Sequence, residues 1–354
     1  MKSNCLLMLM MSCLTVHGRE TGASRFYDVQ SIPAPPGIEA QVGGLAMMPD
    51  GRIAACFLHG QVALFDAGTQ TWKVFAEGLH QPLGLLAEEG GSLLVMQRAE
   101  LTRLRDTDAD GVADDYSTLW AGFGLTGNYH EFAFGPARGP DGKLYVTLNL
   151  ASNGDTIHEE IRGPWSDIGV PREMFYSNWQ NVKAKAGRMY SRVAWRGWTM
   201  QIDPESGEAV PFASGFRSPD GVGFDADGKL IITDNQGDWR GANEVHVVKR
   251  GGFHGHPASL VWRSDWDGSD PRTLSREKLD ALRTPAAIWL PENVYANSPT
   301  QPVVIPRTAS WGPFGGQLLV GEMNSPVLIR LLLEEVDATW QGACVNLVKS
   351  ESLK

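Results

Sequence analysis

The sequence predicts an all-β fold of the propeller kind, on three observations. Forty Gly and 21 Pro in 354 residues imply frequent turns and short strands. A unit of short strand, Asp-Gly or Gly-Gly turn and more apolar strand recurs five times. Its turn glycines, at 51, 91, 142, 228 and 316, lie 40, 51, 86 and 88 residues apart, and forty to fifty residues is the length of one blade. A β-sandwich of generic hairpins is the rival, and the repeat at blade length favours the propeller.

The units follow in order. Gly44–Met48 leads through Pro49-Asp50-Gly51 to Ile53, and Leu83–Leu86 leads through Gly90-Gly91 to Leu93–Val95. Phe132–Phe134 leads through Pro140-Asp141-Gly142 to Leu144–Val146. Gly221–Phe224 leads through Asp227-Gly228 to Leu230–Ile232, and Trp311-Gly312 leads through Gly315-Gly316 to Leu318–Val320. The longer gaps hold blade-sized insertions at 151–200 and 256–308, the first rich in Trp, Arg and Tyr. Residues 275–284, SREKLDALRT, read as one short helix without a capping box.

Apolar residues at 42% and charged residues at 20% allow a packed core. A net charge of −10 argues against nucleic acid or an anionic membrane as partner, since both need clustered Lys and Arg. Residues 1–18, MKSNCLLMLMMSCLTVHG, read as a secretory signal, because one lysine precedes an apolar run too short to span a bilayer. The mature chain is then exported to the periplasm or beyond, as a propeller over 19–344 with a divergent tail at 345–354. Its two cysteines, Cys56 and Cys344, are expected to stay free thiols. No C-x-x-C-H is present to attach a haem.

Asp106, Asp108, Asp110 and Asp114 carry the sharpest metal signal. Carboxylates at alternate positions before Gly111 fold a loop around a hard cation such as calcium. Ser117 stands where an EF-hand needs its bidentate Glu, and the loop resembles the calcium loops of thrombospondin type 3 repeats instead. A solvated acidic turn is the plain alternative. His130 and Arg217 each sit just upstream of an innermost strand, in consecutive hairpins of those recognised. A base and a cation at one mouth of a channel suit removal of a hydroxyl proton with stabilisation of an oxyanion. A hydrogen-bonded wall histidine, and an ion pair of Arg217 with Asp220 or Asp234, are the plain alternatives. His254 and His256 lack an evident third ligand and read as packing. Trp165, Trp179, Trp195 and Trp198 read as core cover rather than sugar platforms.

The segments LTGNYHEFAFG and RSPDGVGF…TDNQGDW, within residues 127–149 and 213–257, resemble the soluble quinoprotein glucose/sorbosone dehydrogenases, and residues 311–334 extend the likeness. Nearly all of 30–344 is more closely similar to the secreted "membrane-bound dehydrogenase"-type propellers of planctomycetes and related bacteria. The resemblance implies a six-bladed-type propeller with about five blades present, holding pyrroloquinoline quinone (PQQ) and calcium. It implies His130 as the base and Arg217 as the group that polarises the quinone carbonyl. Ser218 stands at a cofactor-binding position usually held by Asn. Gln236 and Gly237 stand where backbone carbonyls bind the catalytic calcium, and Glu244 matches an acidic residue on the next strand. Asn324 takes the place of a cofactor-binding lysine. The arginines that grip the cofactor's carboxylates belong to a later blade, so the resemblance also implies a chain shortened at its C-terminus. The expected function is oxidation of a sugar or other alcohol or aldehyde, with a c-type cytochrome as electron acceptor. Rival expectations are a non-catalytic, calcium-stabilised propeller binding a glycan or a partner domain, and a calcium-dependent lactonase, for which no carboxylate set is clear.

Overall fold

The computed structural model describes residues 30–151, 161–173, 191–237, 240–308 and 312–349. The leader at 1–18, Trp179 and Trp311 lie outside these residues. Five antiparallel four-stranded meanders make up the fold. Blade 1 holds β1 (Val42–Met47), β2 (Ile53–Phe57), β3 (Val62–Asp66) and β4 (Thr71–Ala76). Blade 2 holds β5 (Leu85–Ala87), β6 (Leu93–Met96), β7 (Leu101–Arg105) and β8 (Asp115–Trp120). Blade 3 holds β9 (Ala133–Arg138), β10 (Leu144–Leu148), β11 (Trp198–Ile202) and β12 (Ala209–Ser214). Blade 4 holds β13 (Gly221–Phe224), β14 (Leu230–Asp234), β15 (Ala242–Val248) and β16 (Ile288–Pro291). Blade 5 holds β17 (Val303–Val304), β18 (Leu318–Gly321), β19 (Val327–Val336) and β20 (Thr339–Lys349).

The second strand of each blade is apolar on both faces because it is buried on both. In β6, Leu93 and Val95 join the cluster shared with blade 1, while Leu94 and Met96 join the one shared with blade 3. In β14, Leu230 and Ile232 face blade 3 and Ile231 faces blade 5. The alternation is the period of two that a strand imposes, here with apolar residues in both phases. Successive blades thus share a core. Among the described residues, blades 5 and 1 do not: Ile305, Leu319 and Leu347 form one cluster, and Ala55, Phe57 and Ala63 form another. At that seam the innermost β1 exposes Leu45 (63%) and Met47 (65%).

The recurring turn is a three-residue loop. Met48 N donates to Arg52 O and Gly51 N to Met48 O, and the same pair of bonds recurs at 88–92, 139–143 and 225–229. Only the glycine needs the left-handed region, at φ 90° for Gly51 and 77° for Gly142, so the aspartate serves as an acceptor instead. Asp50 and Asp141 each accept from the backbone N–H two residues on. The fifth unit differs from expectation. Its first strand is Val303–Val304, and residues 312–314 form a 3-10 turn, because Pro306 and Pro313 interrupt any ladder there.

The insertions lie inside blades, at 149–197 between β10 and β11 and at 249–287 between β15 and β16. The expected helix is α1 (Arg276–Leu282), and the Ser275 side chain caps it by accepting from Lys278 N. Residues 345–349, expected in the tail, continue β20 and pair with β19. Trp195 meets Trp198 edge-on at 5.5 Å, and Trp198 Nε1 donates to Ser259 O, so these rings seal the core of blade 3. Cys56 and Cys344 are free thiols.

Candidate active site

Two loops carry the expected pair. His130 lies in the loop that enters β9, and Arg217 in the loop that enters β13, the innermost strands of adjacent blades. The backbone of Leu150, just past β10, joins them. His130 Nδ1 lies 3.0 Å from Leu150 O, and Leu150 N donates to Arg217 O at 3.0 Å. A carbonyl only accepts, so Nδ1 of the neutral ring carries the proton and Nε2 carries the lone pair. Tyr129 meets the ring edge-on at 5.7 Å, and Phe132 packs tilted against it at 5.8 Å.

Three arginines clamp the loop that holds His130. Arg98 donates to the carbonyls of Asn128 and Tyr129. Arg162 donates to Phe123 O through Nε (3.0 Å) and Nη2 (2.8 Å). Arg196 donates to Gly124 O (2.9 Å), Glu131 O (3.0 Å) and Phe132 O (2.8 Å). Arg196 is fully buried, and burial pulls its pKa down to about 10 against the opposing charge of Glu131. Glu131 is buried too; burial raises its pKa, and its carboxylate accepts from Thr126 N at 2.7 Å. None of these roles has a sequence pattern, since each guanidinium meets carbonyls roughly thirty or more residues away along the chain.

A carboxylate sets Arg217. Asp234, at the end of β14, accepts from Arg217 N (2.9 Å) and Ser218 N (2.7 Å). The device recurs. Gln97 accepts from His80 N in blade 2, and Glu322 accepts from Asn297 N and Ser298 N in blade 5. Each ties the end of a blade's second strand to the loop entering its first. The Arg217 guanidinium lies against Gly237, where a Cβ would come to 2.5 Å from Nε and push the guanidinium aside.

Ser218 points inward. Its Oγ accepts from Asn149 Nδ2 (2.6 Å) and donates to Asp220 (3.0 Å). Ser298 Oγ donates to Asp220 (3.3 Å) and accepts from Asn235 Nδ2 (2.7 Å). This network links blades 3, 4 and 5, and burial pushes the Asp220 carboxyl up to about 6. Gln236 Nε2 donates to Glu292 (2.9 Å), and Gly237 N donates to Arg240 O (2.8 Å). Asn324 is exposed in the loop after β18, the blade 5 counterpart of the 235–240 loop, so it stands at the same end of the propeller.

A recess of about 10 Å³, room for one water, lies among Arg217, Asp234, Gly237, Arg240, Glu244 and His254. Asp234 and Glu244 face each other across β14 and β15, and burial pushes both carboxyls up to about 7. Arg240 pairs with Glu244. Behind them His254 stacks on Phe216 at 4.8 Å, and its Nδ1 lies 3.2 Å from that of His246. Burial pushes His246 down to about 3. His256 Nδ1 accepts from Ala258 N, so His254 and His256 serve packing and capping. His130, Ser218 and Asn324 do not line this recess.

The aspartate loop lies apart, between β7 and β8 at the outer edge of blade 2. Carboxylate oxygens of Asp106, Asp108 and Asp110 lie within 4.8 Å of one another. Asp114 turns to the loop itself and accepts from Thr107 N (2.8 Å) and Thr107 Oγ1 (2.6 Å). Lys73 Nζ donates to Asp110 O at the rim.

The family model described as a domain of unknown function, DUF7133, matches residues 65–258. No curated protein matches the chain. Among solved structures, a putative oxidoreductase (glucose dehydrogenase) of Thermus thermophilus is similar at 20% identity and TM-score 0.58, over 91% of this chain and 87% of that one. The PQQ-bound aldose sugar dehydrogenase of Streptomyces coelicolor is similar at 14% identity and TM-score 0.55, over 89% and 84%. The holo PQQ domain of pyranose dehydrogenase from Coprinopsis cinerea is similar at 13% identity and TM-score 0.54, over 91% and 81%. At these identities the likeness is one of fold. The chain belongs to the DUF7133 family, and it is built on the β-propeller fold that these sugar dehydrogenases share.

Proposed function

We propose that the chain is an exported quinoprotein-type oxidoreductase of the secreted planctomycete type, oxidising a sugar or another alcohol or aldehyde with PQQ and calcium. One observation supports this above the rest: Leu150 tethers the His130 ring and the Arg217 backbone to one end of the propeller. The residues present suit the reacting end of a quinone. Arg217 has its guanidinium cradled on Gly237, and His130 keeps its lone pair on Nε2. Arg217 would hold the cofactor's quinone side, Ser218 would back it with its hydroxyl committed to Asn149 and Asp220, and Asn324 would offer amide donors where the resemblance places a cofactor-holding lysine. The carbonyls of Gln236 and Gly237 would take the calcium. When bound, PQQ would supply the hydride acceptor for the carbinol carbon. His130 Nε2 takes the hydroxyl proton, and its Nδ1–H stays fixed on Leu150 O. A c-type cytochrome would serve as the electron acceptor. Reconstitution of the full chain with PQQ and Ca²⁺ is expected to give dye-linked oxidation of aldoses. Absence of turnover with aldoses, simple alcohols and aldehydes alike would refute the reading.

A second reading, a non-catalytic propeller that binds a glycan or partner domain, is favoured by Asn324, a neutral and exposed side chain at the place of a cofactor-holding lysine. Glycan binding that survives His130→Ala, with no oxidation in either protein, is its signature. In both readings calcium fills the Asp106–Asp110 loop and holds the outer edge of blade 2. Calcium at a hundred times its Kd is expected to raise stability by about 2.7 kcal/mol. Asp108→Asn should abolish most of that rise in a melting series with and without chelator.

A further inference from the structure

At the end of the propeller away from Arg217 there is a second, larger cleft. β13 runs from Gly221, beside Asp220, to Phe224, and β14 runs back from Leu230 to Asp234. Phe224 and Leu230 line this cleft, so about 13 Å of strand separates it from the candidate active site. Its volume is about 280 Å³. That is close to the lower end of the ~300–1,000 Å³ usual for small-molecule sites.

The walls are rings. Tyr145 meets Phe212 and Phe224 edge-to-face, each at 5.1 Å, and Trp340 of blade 5 closes the far side. The rim carries ammonium groups with loosely held partners. Lys229 Nζ sits 5.1 Å from the Trp340 ring centroid, with Asp227 and Asp225 at 3.7 and 3.9 Å. Lys249 Nζ lies 3.8 Å from Glu335. All three separations exceed hydrogen-bond distance, so these N–H groups can turn to a ligand acceptor. Trp340 Nε1 is a buried donor without an acceptor among the described residues. The carboxylate of Asp141 is already engaged by Tyr145 Oη (2.9 Å) and Gln201 Nε2 (2.7 Å), and burial with that carboxylate pushes the Tyr145 hydroxyl up to about 12.

We propose that this cleft binds a planar aromatic carboxylate. The ring body stacks among Tyr145, Phe212, Phe224 and Trp340, and the carboxylate is met by Lys229 and Lys249. A polyhydroxylated sugar fits less well, because carbon walls would leave most of its hydroxyls without partners. This cleft and its ligand are independent of the quinoprotein reading.

The test is saturation-transfer NMR and calorimetry on the full chain with three probes: 4-hydroxycinnamate, cinnamyl alcohol and glucuronate. Saturable binding of the cinnamate is expected, with the alcohol at least tenfold weaker. Lys229→Gln with Lys249→Gln should weaken the cinnamate at least tenfold while leaving the melting temperature unchanged, since both lysines lie at the surface. Arg217→Ala, at the other end, should leave it unchanged. No saturation at millimolar cinnamate, equal binding to the double variant, or preference for glucuronate would each overturn the proposal. The Arg217→Ala arm separates its failure from failure of the quinone site.

Discussion

Replacing Arg196 with methionine is expected to lower unfolding stability by about 4 kcal/mol or more. The guanidinium is fully buried, and it donates to Gly124 O, Glu131 O and Phe132 O on the single loop that carries His130. Methionine fills much of the volume but takes the donor from Gly124 O and Glu131 O, while Phe132 O keeps the Asn149 N–H, and each unpaired buried acceptor costs about 1–3 kcal/mol. It also leaves the buried Glu131 carboxyl without the charge that most opposes its desolvation. Arg196→Lys should recover only part of the loss, because one ammonium cannot reach every carbonyl that the planar fork spans. Urea melts followed by far-ultraviolet circular dichroism provide the readout. A loss below about 1 kcal/mol in the methionine variant would mean that water reaches the loop and the clamp is ornamental.

Replacing His130 with alanine is expected to cut dye-linked oxidation by about 10²–10⁴-fold, the usual worth of a positioned general base. The fall should appear in kcat, with KM little changed, because the ring is assigned to the proton rather than to holding the substrate. Stability should change little, since the side chain is only half-buried, and its Nδ1 contact is to the backbone carbonyl of Leu150. A change in KM alone, or retained kcat, would assign His130 to the channel wall.

Much of the scaffold was legible because burial on both faces writes itself as short apolar runs, such as Leu93–Met96 and Leu230–Ile232, next to turn glycines. The fifth blade was misjudged at its first strand. Val303–Val304 is only two residues long and is divided from its partner by two prolines, so neither length nor turn pattern marks it. The residues flanking the site divide the same way. His130 and Arg217 stand out because titratable groups precede innermost strands. Arg98, Arg162 and Arg196 do not, because their roles exist only once distant segments fold over the 123–132 loop. In the sequence Asp220 and Asp234 stand out only as alternative ion-pair partners for Arg217. Only the folded chain makes one the hub of Asn149, Ser218 and Ser298, and the other the cap on Arg217. Of the four carboxylates nominated in the aspartate loop, Asp106, Asp108 and Asp110 bring oxygens within 4.8 Å of one another, and Asp114 accepts from Thr107.

We propose that Arg217, lying against Gly237 beside the Leu150 tether, receives a quinone at this end of the propeller. Equilibrium titration of PQQ into the full chain with Ca²⁺, followed by the cofactor's absorbance, tests it most directly. Saturable binding at one cofactor per chain is expected, weakened at least tenfold by Arg217→Ala. Absence of saturable binding, or equal affinity in the variant, would contradict it.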